Sequence, residues 1–293
     1  MSNPYSQLNT MRLCKQLLTI PFFYVFMACL SIFIGTRHYQ EIEGEAFYRN
    51  HMCLLLRTAT LDHNELWANL PVIVNECSIR SELPIEPFDN ADETKFFVLP
   101  RKHNDNCTVI SLGIGKDVEA ERNLKSAAPY CTLHGADPVE EVNKDIYPEV
   151  GTFHHVAVGG SNGTMEALVL EDSYVTKQVE YVDIATFMRR YVKSKVIDNI
   201  FIDVEGAEYA ILPYLHREGQ LALDGVRMCQ INMEVHRPNE EQKKIFHQFF
   251  HRMLQKNEFA PLIASTIIGH VRLYMINHSD GVCYEKFLGE LRE

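Results

Sequence analysis

Short apolar runs recur from Cys107 onward, and each ends in glycine, acid, proline or histidine: CTVISLGIG, PYCTLHGADP, TFHHVAVGG, IDNIFIDVEG and VRMCQINMEVH. Runs of this length, rich in β-branched residues and bounded by turn formers, predict strands. The segments between them carry helical spacing instead. In VDIATFMRRYVKS, Ile184, Phe187, Met188, Tyr191 and Val192 fall on one stripe, with Asp183 as N-cap. In NEEQKKIFHQFFHRMLQK, Ile245, Phe249, Phe250, Met253 and Leu254 repeat at the same spacing, and these aromatics read as core. Strand and helix in alternation predict βαβ crossovers and a mostly parallel α/β sheet with helices on both faces. STIIGHVRLYMIN predicts two strands around a turn at Gly269, closing the sheet with an antiparallel hairpin.

The N-terminal pattern is different. LLTIPFFYVFMACLSIFIG, Leu17 to Gly35, carries no charge and is long enough to cross a hydrocarbon core of about 30 Å as a helix. It predicts one transmembrane signal anchor, longer than the apolar part of a cleaved leader. Arg12 and Lys15 precede it, and Glu41, Glu43 and Glu45 follow, an asymmetry that favours a cytoplasmic N-terminus. The expected organisation is a cytoplasmic tail (1–16), the anchor (17–35), a stem with an irregular N-terminal subdomain (36–92) and a catalytic domain (93–293), in a type II protein facing the lumen of the endoplasmic reticulum or Golgi. The irregular assignment rests on LPVIVNECSIRSELPIEPFDN, which carries three prolines and no long periodic element.

Composition narrows the classes. With 293 residues, 46% hydrophobic and 23% charged, the chain has the make-up of a globular protein. A formal net charge of -11 and the lack of Lys/Arg runs argue against a nucleic-acid partner. Cys53, Cys77, Cys107, Cys131, Cys229 and Cys283 follow the anchor without a C-x-x-C pair, which disfavours zinc and leaves oxidation in a lumen open, with pairing not readable from spacing. Sequons at Asn106, Asn162 and Asn277 fit the same compartment.

In open α/β sheets, ligands bind beyond the carboxyl ends of the strands. The first run ends in SLGIGKD, whose Gly113 and Gly115 allow backbone amides to approach a ligand. The second ends with Asp137 in GADP, about 24 residues beyond Gly113, close to the spacing at which an acid on the second strand holds ribose hydroxyls. The third glycine of a dinucleotide fingerprint is missing, which favours a nucleoside without phosphates, such as S-adenosylmethionine, over a pyrophosphate dinucleotide.

The fourth run aims acids off its end. In VIDNIFIDVEGAEYAILPYL, strand parity puts Asp203 and Glu205 on one face, and in INMEVH it does the same for Glu234 and His236. With neighbouring strands, Asp203, Glu205, Glu234 and His236 would meet in one crevice and activate an acceptor hydroxyl. They would do so either as a base or, if metal is used, with Asp203 and Glu234 as oxygen ligands of Mg²⁺ or Mn²⁺. Glu208 reads as a first-turn acid at a helix N-terminus.

On these residues the chain resembles the FkbM-type methyltransferases. IDNIFIDVEGAEYAILPYL is similar to that family's most recognisable block, an apolar strand followed by Asp-x-Glu-Gly-x-Glu and a helix, with ISLGIG, GADP and INMEVH in order around it. With its anchor, the chain looks closest to a divergent, nematode-like animal branch. The resemblance implies a Rossmann-like class I methyltransferase sheet, S-adenosylmethionine as donor, and methylation of a hydroxyl on a glycan or another lumenal small molecule. It departs from the family's acid-bearing first loop, because Ser111 stands at the acid's place and Lys116 and Asp117 follow the second glycine. Two other readings compete: a type II glycosyltransferase with an acidic metal motif, and a catalytically inactive Rossmann-like binding module.

Overall fold

Four of the five predicted runs place a strand in one sheet, and the first residues of two of them, at Ile197 and Met228, pair with each other in a separate two-stranded ladder. In the computed structural model, which describes residues 44–102, 106–170 and 173–289, β1 (Ile85–Asp89) and β2 (Thr94–Val98) form an antiparallel hairpin. They are followed by β3 (Cys107–Leu112), β4 (Cys131–Asp137), β5 (Thr152–His155), β6 (Ala157–Gly159), β7 (Gly163–Leu170) and β8 (Tyr174–Asp183). Then come β9 (Val196–Ile197), β10 (Asn199–Ile202), β11 (Arg227–Met228), β12 (Gln230–Val235), β13 (Phe259–Ile267) and β14 (His270–Asn277).

The main sheet has seven strands in the order β13-β14-β12-β10-β3-β4-β5. Its members from β12 to β5 are parallel, and β14 runs antiparallel to both β12 and β13. From β3 the chain winds outward to β4 and β5, then returns to place β10 on the other side of β3. This makes the β3/β10 boundary a topological switch point, where a crevice opens at the strand ends. β10 and β12 are buried along their whole length, as strands covered on both faces must be. One apolar cluster contains Leu66, Leu70, Ile200, Ile231, Phe246 and Phe250, and the other gathers Phe97, Val109, Leu133, Tyr147, Phe201 and Tyr274. The predicted hairpin is present, turning through Ile268 and Gly269 at φ +49° and +88°.

Three differences from the sequence pattern have physical reasons. TFHHVAVGG does not form one strand: it breaks at Val156, with β5 on the main sheet and β6 parallel to β8 in a separate sheet ordered β6-β8-β7. The β7/β8 hairpin was not foreseen because most described side chains of β8 are exposed or half-exposed, which erases the apolar alternation. Residues 63–77, expected to be irregular, are a 15-residue helix. A capping box between Asp62 and Glu65 starts it, and the stripe Leu66, Leu70, Ile73, Val74 and Cys77 buries it, so Pro71 is carried inside despite its missing N–H.

Asp183 caps the Ile184–Phe187 helix as expected, its side chain accepting from the Thr186 amide. Residues 46–293 form a single compact unit. All six cysteines beyond residue 35 are paired, as Cys53–Cys77, Cys107–Cys131 and Cys229–Cys283. Leu17–Gly35 lies outside the described residues, and among those described no helix is long and apolar enough to cross a membrane.

Candidate active site

The turn after β3 is built from backbone. Gly113, Gly115 and Lys116 all have positive φ, at +83°, +63° and +67°, a region that costs a residue with a side chain about 1–2 kcal/mol. Gly113 is required twice over, because a Cβ there would lie 1.8 Å from the Asp203 carbonyl oxygen; at Gly115 it would meet nothing within 4 Å. Asp137, at the end of β4, holds this turn in place. Its Oδ2 accepts from the amides of Ile114 (2.8 Å) and Gly115 (3.4 Å), and its Oδ1 from the amide of Val139 (2.7 Å). Burial raises the Asp137 pKa and the three N–H bonds work against that shift.

The three donor residues expected from sequence therefore meet. They line a cavity of about 310 Å³ together with Val158, Tyr174, Tyr181 and Asp203. Asp137 both shapes the turn, as its position before Pro138 suggested, and borders the cavity.

Ser111 stands at the place of the family's first-loop acid, and a carboxylate reaches it from elsewhere. Its hydroxyl donates to Glu121 Oε1 at 2.7 Å, and the Tyr147 hydroxyl donates to Ser111 at 3.3 Å. Glu121 also accepts from Lys95 Nζ at 3.0 Å, and Lys95 lies 3.3 Å from Glu93. Sequence reasoning missed this group. Its signal was parity: in β2, Lys95 shares its face with Phe97, and in the following helix Glu121 lies beside the buried Ala120 and Leu124.

The turn after β10 is built from side chains. β10 ends at Ile202, so the pleat that was to align Asp203 with Glu205 stops before either residue. Glu205 and Gly206 turn the chain at φ +53° and +98° instead. Around the His236 imidazole, Nδ1 lies 2.9 Å from Glu208 Oε1, and Nε2 lies 3.3 Å from Glu205 Oε2 and 3.6 Å from Asp203 Oδ1. Glu208 opens the Glu208–Ile211 helix as a first-turn acid, as expected, but it is fully buried, and its Oε1 also accepts from the Val204 amide at 2.9 Å.

Glu234 stands slightly apart, with Arg272 Nε at 2.5 Å and His270 Nδ1 at 3.6 Å. The His236 and His270 rings are edge-on at 4.6 Å. Asp203, Glu208 and His236 can present ligand atoms within 4.8 Å of one another, and so can Glu234, His236 and His270. Asp203 and Glu234, paired as metal ligands from sequence, thus fall in two groups that share His236.

The electrostatics separate these residues. Burial, then the charge of Glu234, pushes the Asp203 pKa up to about 8. Its side chain keeps 41% of its surface open to the crevice while Oδ1 is closed off without a hydrogen-bond partner. Burial acts to lower the His236 pKa, but the bonds to Glu205 and Glu208 outweigh it and raise it to about 11. Beside Asp203 opens a second cavity of about 390 Å³, lined by Glu93, Asn232, Glu234, Ser265, Arg272 and Tyr274. Gly113, Lys95, Glu93 and Asp203 border both cavities.

Solved structures are similar to the chain at low identity. A chain assigned as an rRNA methylase from Clostridium thermocellum matches with TM-score 0.38 and 11% identity, covering 63% of this chain and 91% of the other. Aeropyrum pernix fibrillarin with S-adenosyl-L-methionine bound matches with TM-score 0.34 and 12% identity over 59% and 68%. A ribosomal protein L11 methylase from Lactobacillus delbrueckii subsp. bulgaricus matches with TM-score 0.31 and 11% identity over 60% and 73%. No curated protein matches the chain. The methyltransferase FkbM domain model matches residues 63–277, which takes in the glycine turn, Asp137 and the whole acid cluster. The chain belongs to the FkbM methyltransferase family.

Proposed function

We propose that the protein transfers a methyl group from S-adenosylmethionine to a hydroxyl of a polyhydroxylated acceptor such as a glycan. The observation that carries this reading is Asp203 on the wall common to two cavities. One is bounded by the glycine turn and Asp137 and suits a nucleoside. The other carries carboxylates, a guanidinium, an amide and hydroxyls, which suit a partner rich in hydroxyl groups.

In this reading Asp203 is the base. A general base works best with a pKa near the operating pH, and a value of about 8 meets that condition. His236, held protonated by Glu205 and Glu208, does not take the proton; it orients the carboxylates and balances their charge. A nearby cation also eases departure of the acceptor proton, because it stabilises the developing oxyanion. A hard divalent ion on Asp203, Glu208 and His236 is the alternative way to activate the hydroxyl, and it would first require His236 to lose its proton.

Titration of the full chain with S-adenosylmethionine, NAD and a nucleotide sugar tests the donor. A clear preference for S-adenosylmethionine is expected, and a preference for the nucleotide sugar would return the protein to the glycosyltransferases. EDTA treatment followed by Mg²⁺ or Mn²⁺ tests the metal: unchanged turnover supports Asp203 as base, whereas loss and recovery would assign the cluster to an ion.

The lumenal, type II placement belongs to the same proposal, and the pairing of all six cysteines beyond residue 35 supports it. Of the three sequons, Asn106 and Asn162 are exposed, but Asn162 is engaged with Asp183 through both Nδ2 and Oδ1, and Asn277 is engaged through Nδ2 with the Met228 carbonyl and through Oδ1 with the Ser279 and Asp280 amides. A glycosidase-sensitive mass shift lost in Asn106→Gln and kept in Asn277→Gln is the expected outcome. Digestion of the C-terminal domain by protease added outside sealed microsomes would overturn the topology.

A further inference from the structure

Lys95 is a buried lysine held where two cavities meet. Only 5% of its surface is exposed, and its ammonium lies 3.0 Å from Glu121 and 3.3 Å from Glu93, with the Phe201 ring centroid at 5.0 Å. Among the described residues lining the smaller cavity it is the one cation, set against acids that include Glu93, Asp117, Asp203 and Glu205. Burial acts to strip its proton, and the charges of Glu121 and Glu93 outweigh burial, so it stays an ammonium.

As a structural device this group is poorly economical. A buried ion pair usually gains little over an apolar pair of the same shape, and here two carboxylates meet one ammonium while Glu121 Oε2 is buried without a hydrogen-bond partner. An ammonium carries three N–H donors. Two of them are taken up by Glu121 and Glu93.

Resting on the proposed use of S-adenosylmethionine, we infer that Lys95 and Glu93 form a two-point receptor for the donor's amino-acid end, Lys95 binding its α-carboxylate and Glu93 its α-ammonium. The donor carries two positive groups, the sulfonium and the ammonium, and one negative group. A cavity with an acidic wall and a single lysine matches that distribution. The glycine turn fits the same orientation, since Gly113 and Gly115 line this cavity along with Lys95 and Asp137, and Asp137 holds the turn through the Ile114 and Gly115 amides. The nucleoside is then held at the Asp137 side, the amino-acid end at the β2 side, and the sulfonium faces Asp203 between them. Glu121 is the lysine's standing partner: it fixes the ammonium from behind and stays out of the ligand's reach.

The test is a thermodynamic cycle by calorimetry on the full chain, using S-adenosylmethionine and its decarboxylated analogue, which lacks only the α-carboxylate. The readout is the ratio of the two affinities in each protein, which cancels effects common to both ligands. On passing from wild type to Lys95→Met, that ratio should fall by about 10- to 100-fold, the range expected for one charge-assisted hydrogen bond. Methylthioadenosine, which lacks the whole amino-acid arm, should bind both proteins equally. Should the single variant unfold because Glu121 is left unpaired, Lys95→Met combined with Glu121→Gln removes the stranded charge and gives the same ratio.

A ratio unchanged within about twofold, with S-adenosylmethionine still bound by wild type, overturns the inference and leaves the donor assignment standing. Equal loss of all three ligands in the folded variant also overturns it and makes Lys95 a structural residue. Failure of wild type to bind any of the three overturns the donor assignment and the inference together.

Discussion

The turns that follow β3 and β10 lie side by side, joined by the Asp203 amide donating to the Leu112 carbonyl at 2.8 Å, yet they are made of opposite materials. The first is glycine backbone fixed by a single carboxylate, Asp137. The second gathers Asp203, Glu205 and Glu208 around one imidazole. Backbone amides fix a shape and carry little that a change of pH can alter. Clustered carboxylates fix less shape and supply charge that responds strongly to its surroundings. In the proposed function, recognition and reactivity are divided between these neighbouring loops, and Gly113 is the seam, since any side chain there would strike Asp203.

The largest expected effect breaks the reactive side alone. Asp203→Asn should lower kcat by about 10² to 10⁴-fold, the usual worth of general base catalysis, while the Kd for S-adenosylmethionine stays within a few-fold. A comparable loss of donor affinity would show that the two turns are not functionally separate. Next, Gly113→Ala should damage both sides at once, because the strain of positive φ adds to a clash with backbone. A cost of about 2–5 kcal/mol would lower Tm by about 5–15 °C and weaken donor binding and turnover together. Asp137→Ala should follow, costing about tenfold in donor affinity through the loss of charge-assisted bonds to the turn, with kcat at saturating donor changed much less.

The pH response sharpens the same contrast. Asp203 has a raised pKa of about 8 and His236 one of about 11, so the native state holds more protons than the unfolded chain between pH 7 and 9, and stability falls as pH rises. The Asp203 share is present in full below its unfolded value and is lost on the way to about 8; the His236 share is lost between its unfolded value and about 11. A Tm that declines over pH 7 to 9, with a shallower slope in Asp203→Asn, is expected from thermal melts. The smallest effect belongs to Gly115→Ala: with open space around it, only the positive φ should matter, at about 1–2 kcal/mol.

Much of the scaffold was legible because its strands are short, rich in apolar residues and buried on both faces, as in β10 and β12. The glycine turn was legible for a related reason: its residues follow directly from a strand end, so sequence distance and spatial distance agree. Legibility failed where an element is half-exposed, as in β8, or where a breaker sits inside a helix whose buried stripe outweighs it, as at Pro71. At the site it failed beyond Ile202. Strand parity could not foresee a left-handed Glu205 or a buried Glu208 that reaches back to His236. Lys95 and Glu121 were missed because the partners lie 26 residues apart on different elements, and the parity that marks each as inward-facing does not say which partner it meets.

The disulfide between Cys107 and Cys131 joins the first residues of β3 and β4, at the end of the sheet away from the crevice. From that covalent rung the two strands pair in step, Cys107 with Cys131 through to Leu112 with Ala136, and the next bond is the Gly113 amide to the Ala136 carbonyl. A slip by one residue would turn every side chain of one strand to the opposite face. The bond therefore acts as a molecular ruler, setting at one end of the ladder the alignment that fixes where the glycine turn begins at the other. A chain folded under reducing conditions has to find that alignment by packing alone.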